Sequence, residues 1–506
     1  MAVKKPTLNE IHRIADSYYL DLSDEDARSF LGLMDGLLAS YARIDQLVEP
    51  KPEVKYPRTA GYRPQPEENR YNAWYYKTSI KGAPSGLLAG KTIAIKDNIC
   101  VAGVPMMNGA SVLEGYTPDI DATVVTRMLD AGGEIVGKAV AENLCVSGAS
   151  HTADTGPILN PHKPTHSTGG SSAGSAALLA AGEVDLSIGG DQGGSVRIPA
   201  SWSGIYGMKP THGLVPYTGA FPVDLTLDHL GPMTNSTADM AVMLEAIAGP
   251  DGLDPRQYEV KTDNYTQALK GDVKGLKIGV VQEGFGMEGV SEPDVDEAVR
   301  KAGAQFEKLG AQVSTISIPM HADGPAIWNG IIVEGVTALM INGNAMGTNW
   351  QGYYNVGLMD HYGHGLRERA NDLSETTKLI MMTGQYLQER YHGRFYAKAQ
   401  NLARSLRAAY DAALEKVDLL LMPTTPMKAM PIPPADATRE EYVAAALPMV
   451  PNTAPFCATG HPSLSVPCGM SDGLPIGMML TGRHWEESTL LRASHAYEQS
   501  VDWKKI

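Results

Sequence analysis

Two serine-bearing glycine turns flank an alanine-rich run between Gly169 and Ser201, in the sequence GGSSAGSAALLAAGEVDLSIGGDQGGSVRIPAS. Gly169 and Gly170 permit a tight turn with positive φ, and Ser175 to Ala181 is rich in strong helix formers and stops at Gly182. Val184 to Ile188 reads as a brief strand. Gly189, Gly190, Asp191, Gln192, Gly193 and Gly194 then form a loop of largely unshielded amides, with Ser195 at its end. Bare amides beside a hydroxyl suit acyl transfer, because the tetrahedral intermediate carries an oxyanion that oriented N–H donors stabilise. Glycine turns that merely pack a helix on a sheet have the same composition, so glycine alone leaves both readings open.

Lys96 is the second unusual residue. It closes the apolar run Thr92, Ile93, Ala94, Ile95, where a charged lysine is seldom buried unpaired. Burial lowers its pKa and leaves a neutral amine that accepts a proton near neutral pH. The alternatives are a lysine that snorkels from a strand end to solvent, or one paired with Asp97.

Two other chemistries fit parts of the same segment. Gly170-Ser-Ser-Ala-Gly174 matches the G-x-S-x-G turn of α/β-hydrolases, with Ser172 as nucleophile, but that turn follows a strand and residues 161 to 168 are a polar loop with proline and histidine. A non-catalytic anion cradle lacks its G-x-x-x-x-G-K-[ST] element here, and Asp191 repels phosphate.

The segment resembles the signature of the amidase signature family. Ser171 is the first serine after the paired glycines, Ser195 is the serine of a D-x-G-G-S element 24 residues on, and Lys96 lies 75 residues before Ser171, as that family requires. The segments GIYGMKPTHGLVPYTG (204–219), DHLGPM (228–233), LLLMPTTP (419–426), GHPSLSVPCG (460–469) and LPIGMMLTGRHWEESTLL (474–491) extend the likeness over roughly 75–320 and 415–506. The resemblance implies a Ser–Ser–Lys triad: Lys96 as base, Ser171 as relay on a cis Gly170–Ser171 peptide, and Ser195 as the nucleophile that forms an acyl-enzyme and releases ammonia. It also implies an oxyanion hole from the N–H groups of Gln192, Gly193, Gly194 and Ser195. Asp191 and Arg197 would fix the shape of that loop, with ordinary surface charge as the alternative, and Ser172 would bond turn backbone or cap the following helix.

Within the family the chain looks most like the nitrile-pathway, often enantioselective, amidases. The likeness rests on a helical amino-terminal extension, on YNAWYYKT at Tyr71–Thr78 and on the helical segment around Trp328. It implies hydrolysis of small aliphatic or aromatic amides produced by a nitrile hydratase, in a homodimer. No cofactor is expected, and MAVKKPTLNE, with lysines but no apolar h-region after them, leads to the expectation of a soluble cytoplasmic protein. Ile327, Trp328 and Leu447 are candidates for an apolar acyl pocket, though core side chains are of the same types. The competing expectation is the glutamine-hydrolysing subunit of a tRNA-dependent amidotransferase, which shares the triad and needs polar groups to grip the α-amino and carboxylate ends of glutamine.

An α/β frame must hold these groups. Leu8 to Leu20 and Asp24 to Leu47 carry apolar residues at helical spacing with Ser23 or Asp24 as a cap, and Pro50, Pro52, Pro57, Pro64 and Pro66 mark an extended linker. Beyond it strands alternate with helices: Thr92–Ile95, a helix near Ala122–Ala131, Glu134–Gly137, then Leu276–Val281, Val295–Leu309 and Val313–Ile318. The expected architecture is a mixed β-sheet covered by helices on both faces. Strand signals fade between about Ala326 and Ala413, and Glu375–Ala412 reads as helical. The expected organisation is therefore residues 1–75 as a helical extension with its linker, 76–325 and 415–506 as the two parts of the core, and 326–414 as an inserted helical subdomain.

Composition fits this picture. The 506 residues are 43% hydrophobic and 20% charged, enough to bury a large core, and the formal net charge of −15 speaks against a nucleic-acid surface. No window approaches 18 uninterrupted apolar residues, so no membrane span is expected. Cys100, Cys145, Cys457 and Cys468 form no C-x-x-C pair and are expected to be reduced. His162 with His166 and His361 with His364 have helical ligand spacing, but without an H-E-x-x-H motif or a Cys/His cluster no metal is expected.

Overall fold

The structure, a computed structural model, describes residues 3–346 and 349–505. The chain divides into two compact units, Met1–Glu53 and Val54–Ile506.

The first unit is a pair of packed helices, α1 (Leu8–Ser17) and α2 (Asp24–Ile44). Thr7 starts α1 with a capping box: its Oγ1 accepts from Glu10 N at 3.3 Å while the Glu10 carboxylate accepts from Thr7 N at 2.6 Å. Ser23, rather than Asp24, caps α2, its Oγ accepting from Asp26 N at 3.1 Å. Ile11, Ala15 and Ala27 are buried, whereas Phe30, Leu33, Leu37, Tyr41 and Ile44, at helical spacing along α2, are exposed.

In the second unit the strands are β1 (Trp74–Lys81), β2 (Thr92–Lys96), β3 (Glu134–Ala139), β4 (Leu186–Asp191), β5 (Tyr206–Lys209), β6 (His229–Thr234), β7 (Lys277–Val281), β8 (Gln312–Ile316), β9 (Leu419–Pro423), β10 (Ser463–Ser471) and β11 (Leu474–Thr481). Among the described residues they form one mixed sheet in the order β1-β3-β2-β4-β6-β5-β10-β11-β9-β7-β8. β2 runs parallel to both β3 and β4, β7 runs parallel to β8 and β9, and the remaining pairs are antiparallel. Ile93, Ala94 and Ile95 are fully buried, as expected of a central parallel strand covered by helices on both faces. The register Ile95↔Ile188 brings the carboxyl ends of β2 and β4 to one edge, where open α/β sheets place their ligands.

Three local readings change. The strand expected at 184–188 runs Leu186–Asp191, because antiparallel pairing with β6 extends through Gly189, Gly190 and Asp191; these three residues belong to the sheet, not to the loop. After α3 (Thr123–Asp130), the helix that follows the first serine turn, α4 (Ala173–Ala180), starts earlier than its best helix formers suggest. The tract 375–412 is two helices, Glu375–Tyr391 and Arg394–Leu414, separated where His392 (φ 58°) and Gly393 (φ 73°) adopt left-handed backbone.

The helix Gly324–Gly335 packs on the helices Arg394–Leu414, Glu375–Tyr391 and Ala454–Thr459. It lies inside the stretch Pro319–Ile341, which is long and apolar enough to cross a membrane by length and composition alone. Its apolar side chains instead face the neighbouring helices and a cavity described below.

Candidate active site

β2 delivers Lys96 to the carboxyl edge of the sheet, and the glycine turn before α4 brings Ser171 against it. Lys96 is fully buried, with Nζ 2.8 Å from Ser171 Oγ and 3.3 Å from the carbonyl oxygen of Gly190. Burial, the dominant influence, pushes the Lys96 ammonium below its ordinary pKa, against the opposing pull of Cys145, Asp191 and Glu142. Lys96 neither snorkels nor pairs with its neighbour. Asp97 turns the other way, to Lys138 at 2.9 Å and to the amides of Met107 and Asn108 at 2.9 and 2.8 Å.

The Gly170–Ser171 peptide is cis. Only glycine fits at 170, because a Cβ there would stand 1.9 Å from the carbonyl oxygen of Ala149. Ser171 is fully buried, and its carbonyl accepts from Glu142 N at 3.1 Å. Ser172 caps nothing with its side chain. Its Oγ donates to Gly190 O at 3.2 Å and accepts from Gly190 N at 3.3 Å, tying the serine turn to the end of β4.

The loop from Gln192 to Ser195 has its carbonyls pinned outward. Gln192 O accepts from the Trp328 indole at 2.7 Å, Gly193 O from Thr453 Oγ1 at 2.6 Å, Gly194 O from Ile198 N at 2.7 Å and Ser195 O from Ser172 N at 3.2 Å. The amides are not all equivalent. Gly194 N donates to Asp191 Oδ1 at 2.8 Å, so that donor is already committed to the loop's own carboxylate. The amides of Gln192, Gly193 and Ser195 find no acceptor among the described residues, and buried unpaired donors of this kind suit a ligand oxygen.

Asp191 and Arg197 are both fully buried, which removes the surface-charge alternative. Arg197, at the start of α5 (Arg197–Ser203), binds the carboxylate through two nitrogens, Nε to Oδ2 at 3.0 Å and Nη2 to Oδ1 at 2.9 Å. Burial works to raise the Asp191 carboxyl, but the Arg197 guanidinium outweighs it and holds the group at about 2. The same carboxylate accepts from Val196 N at 3.1 Å and from Cys457 Sγ at 3.1 Å, so one side chain organises both ends of the turn.

Ser195 opens onto a cavity of 250 Å³. Its walls include Trp328 and Leu447, as expected, together with Cys145, Ile198, Val223, Ile332 and Val450, which nothing in the sequence singled out. Ile327 is not among them: one step along the helix Gly324–Gly335 from Trp328, it points into the hydrophobic core and is 4% exposed. Gly193 lies against Trp328, where a Cβ would come within 2.5 Å of the indole. Cys145 borders the pair at the end of β2, its thiol close to both Lys96 and Ser171, and burial foremost raises its pKa. Its position follows from left-handed backbone at Leu144 (φ 47°) and Cys145 (φ 65°), which no sequence pattern announces. A larger hollow of 620 Å³ lined by His212, Arg256 and His484 contains none of these residues. His212 and His229 bond the carbonyls of Leu225 and Leu227 at 3.1 and 2.7 Å and do not reach the serines' cavity.

A sheet edge carrying a buried lysine, two buried serines and a loop of inward amides defines a hydrolase of the amidase class. The Amidase family model matches residues 56–491, and the chain belongs to that family. It is an amidase, acting on the carbon–nitrogen bond of carboxylic acid amides.

Among its relatives, the enantioselective amidase of Rhodococcus rhodochrous is 44% identical over 501 residues, 98% of this chain and 96% of that protein. A glutamyl-tRNA(Gln) amidotransferase subunit from Methanosarcina mazei is 38% identical, covering 84% of this chain and 87% of its own length. The crystal structure of the corresponding amidotransferase subunit from Thermotoga maritima superimposes with a TM-score of 0.72 at 29% identity, covering 86% of this chain and 89% of that one.

Proposed function

We propose that the protein hydrolyses small uncharged aliphatic or aromatic amides of the kind formed from nitriles, through an acyl-enzyme on Ser195. The observation that carries this reading is the pairing of Lys96 Nζ with Ser171 Oγ at 2.8 Å, both groups buried, beside the cavity that holds Ser195. Neutral Lys96 accepts the Ser171 proton, Ser171 accepts that of Ser195, and Ser195 Oγ attacks the amide carbonyl. The developing oxyanion meets the free amides of the 192–195 loop. The relay then returns a proton to the leaving ammonia, and water activated in the same way releases the acid.

The shape of the cavity favours this substrate class over glutamine. Among the described residues, none of its lining side chains carries a charge, so the α-ammonium and α-carboxylate of glutamine would be left unpaired there. The similarity to an enantioselective amidase along 98% of the chain points the same way. Hydrolysis of benzamide or propionamide by the purified protein alone, with glutamine turned over at less than a hundredth of that rate, is the expected result; the reverse preference sinks the reading.

The exposed apolar stripe of α2 supports a homodimer, and the four free, buried cysteines support action in the reducing cytoplasm. A nitrile hydratase upstream would supply the substrate. The domain limits proposed are 1–75, 76–325, 326–414 and 415–506.

A further inference from the structure

We propose that Asp411, His461 and His484 form a binding site for one Zn²⁺ ion outside the catalytic cavity. The three come from separate segments: Asp411 from the helix Arg394–Leu414, His461 from the loop that follows the helix Ala454–Thr459, and His484 from the loop after β11. Their chain separations match no metal-binding motif, so only the fold brings them together. Asp411 Oδ1 lies 3.0 Å from His461 Nε2 and 3.9 Å from His484 Nδ1, and all three ligand atoms fall within 4.8 Å of one another. Zinc bonds of about 2.1 Å set tetrahedral neighbours about 3.4 Å apart, between those two distances, so small side-chain rotations complete the geometry.

Both imidazoles are oriented from behind by one residue. His484 Nε2 lies 3.1 Å from Thr459 O, and His461 Nδ1 lies 3.0 Å from Thr459 Oγ1. A carbonyl oxygen only accepts, so the His484 proton sits on Nε2 and its Nδ1 lone pair is turned toward the Asp411 carboxylate. Two lone-pair donors facing each other leave a place that suits a cation, which would replace the hydrogen bond that Asp411 Oδ1 accepts from His461 Nε2. His461 reaches its ligating form by moving its proton from Nε2 to Nδ1, while the Thr459 hydroxyl changes from donor to acceptor; the hydrogen bond to Asp411 gives way to the metal bonds and no proton need leave. Backing of metal-facing imidazoles by a carbonyl or hydroxyl is the usual outer-shell arrangement.

The donor set of two imidazoles and a carboxylate suits Zn²⁺ better than the all-oxygen preference of Mg²⁺ or Ca²⁺. Arg407 approaches the other carboxylate oxygen, Oδ2, at 3.8 Å and leaves Oδ1 to the site. His484, Thr459 and Arg407 also line the 620 Å³ hollow, which gives an ion its entry path and room for a water as fourth ligand. Bound there, the ion would clamp a helix of the 326–414 region to two loops of the sheet core.

Equilibrium dialysis of the full-length, chelator-treated protein against Zn²⁺ tests this, with Co²⁺ as a spectroscopic substitute. Expected are one Zn²⁺ per chain, visible Co²⁺ absorption of the tetrahedral type, and a thermal unfolding midpoint that rises with Zn²⁺. His484→Gln and Asp411→Asn should each weaken binding by about 100-fold or more and remove the thermal shift, while benzamide hydrolysis by the metal-free protein stays at the native level. Circular dichroism checks that each variant is folded, and Asp411, half-exposed on its helix, carries the test if the histidine variant unfolds. Binding well below one ion per chain, or full binding in a folded Asp411→Asn variant, overturns the site.

Discussion

The Trp328 indole donates to the carbonyl of Gln192 at 2.7 Å, so the wall of the cavity and the loop that carries Ser195 are held as one piece. The bond turns the Gln192 carbonyl away from the cavity and leaves amides of the same loop facing inward. Trp328→Phe keeps a ring against Gly193 but removes the donor. We expect kcat to fall about tenfold, the size of one lost hydrogen bond to a buried group, with a smaller change in KM. An unchanged kcat with a raised KM would show that Trp328 only packs against substrate.

Lys96→Met tests the base with an apolar side chain of similar length. The expected kcat is lower by about a thousandfold or more, with the thermal midpoint held or raised, because a buried amine is exchanged for a side chain that burial does not penalise. A near-native kcat would rule out Lys96 as proton acceptor.

The pH profile follows from the direction of the Lys96 shift. Burial, first among its causes, lowers the pKa, so the neutral, proton-accepting form gains population at a pH well below that of a free lysine. Activity on an uncharged amide should rise with pH through that apparent pKa. A rate that is flat down to pH 5 contradicts a neutral-lysine relay.

Asp191→Asn should cost about 3–5 kcal/mol of stability, since it leaves the buried Arg197 guanidinium without its counter-charge, and denaturant midpoints will measure it. The native carboxyl, held at about 2, lies below its unfolded value. Its stabilising contribution is therefore complete above about pH 4 and is lost as pH falls through about 2. Acid unfolding of the variant should lack that component.

Ser172→Ala separates this enzyme from a G-x-S-x-G hydrolase. Because the Ser172 hydroxyl is engaged with the backbone of Gly190, the variant should still form an acyl-enzyme, which hydroxylamine intercepts as a hydroxamate. Ser195→Ala should form none. Intact-mass measurement after a single turnover reads both, and the opposite pattern would move the nucleophile to Ser172.

Some of this was legible in the chain because it depends on residue type at fixed spacing. Glycine is required where backbones meet closely, as at Gly170, and an apolar run ending in lysine states its own conflict, as in β2. Alternating strand and helix signals likewise announced a mixed sheet under helices, and Ser23 or Asp24 marked the start of α2, with the structure selecting Ser23. Element ends were less visible. β4 runs on through Gly189, Gly190 and Asp191 because β6 pairs with it, and pairing is not written in the strand itself.

The sequence, through its family resemblance, nominated the candidate reacting groups: Lys96, Ser171 and Ser195, the glycine loop between sheet and α5, and a charge pair beside it. Only the tertiary structure decided which neighbours face them. It turned Trp328 into the cavity and Ile327 into the core, since adjacent positions on a helix look in different directions. It committed the Gly194 amide to Asp191 and set Cys145 beside Lys96. It also gathered Asp411, His461 and His484 from three distant segments. Residue type and local spacing travel with the chain, whereas direction, burial and long-range proximity exist only once the sheet has formed and the helices have packed on it.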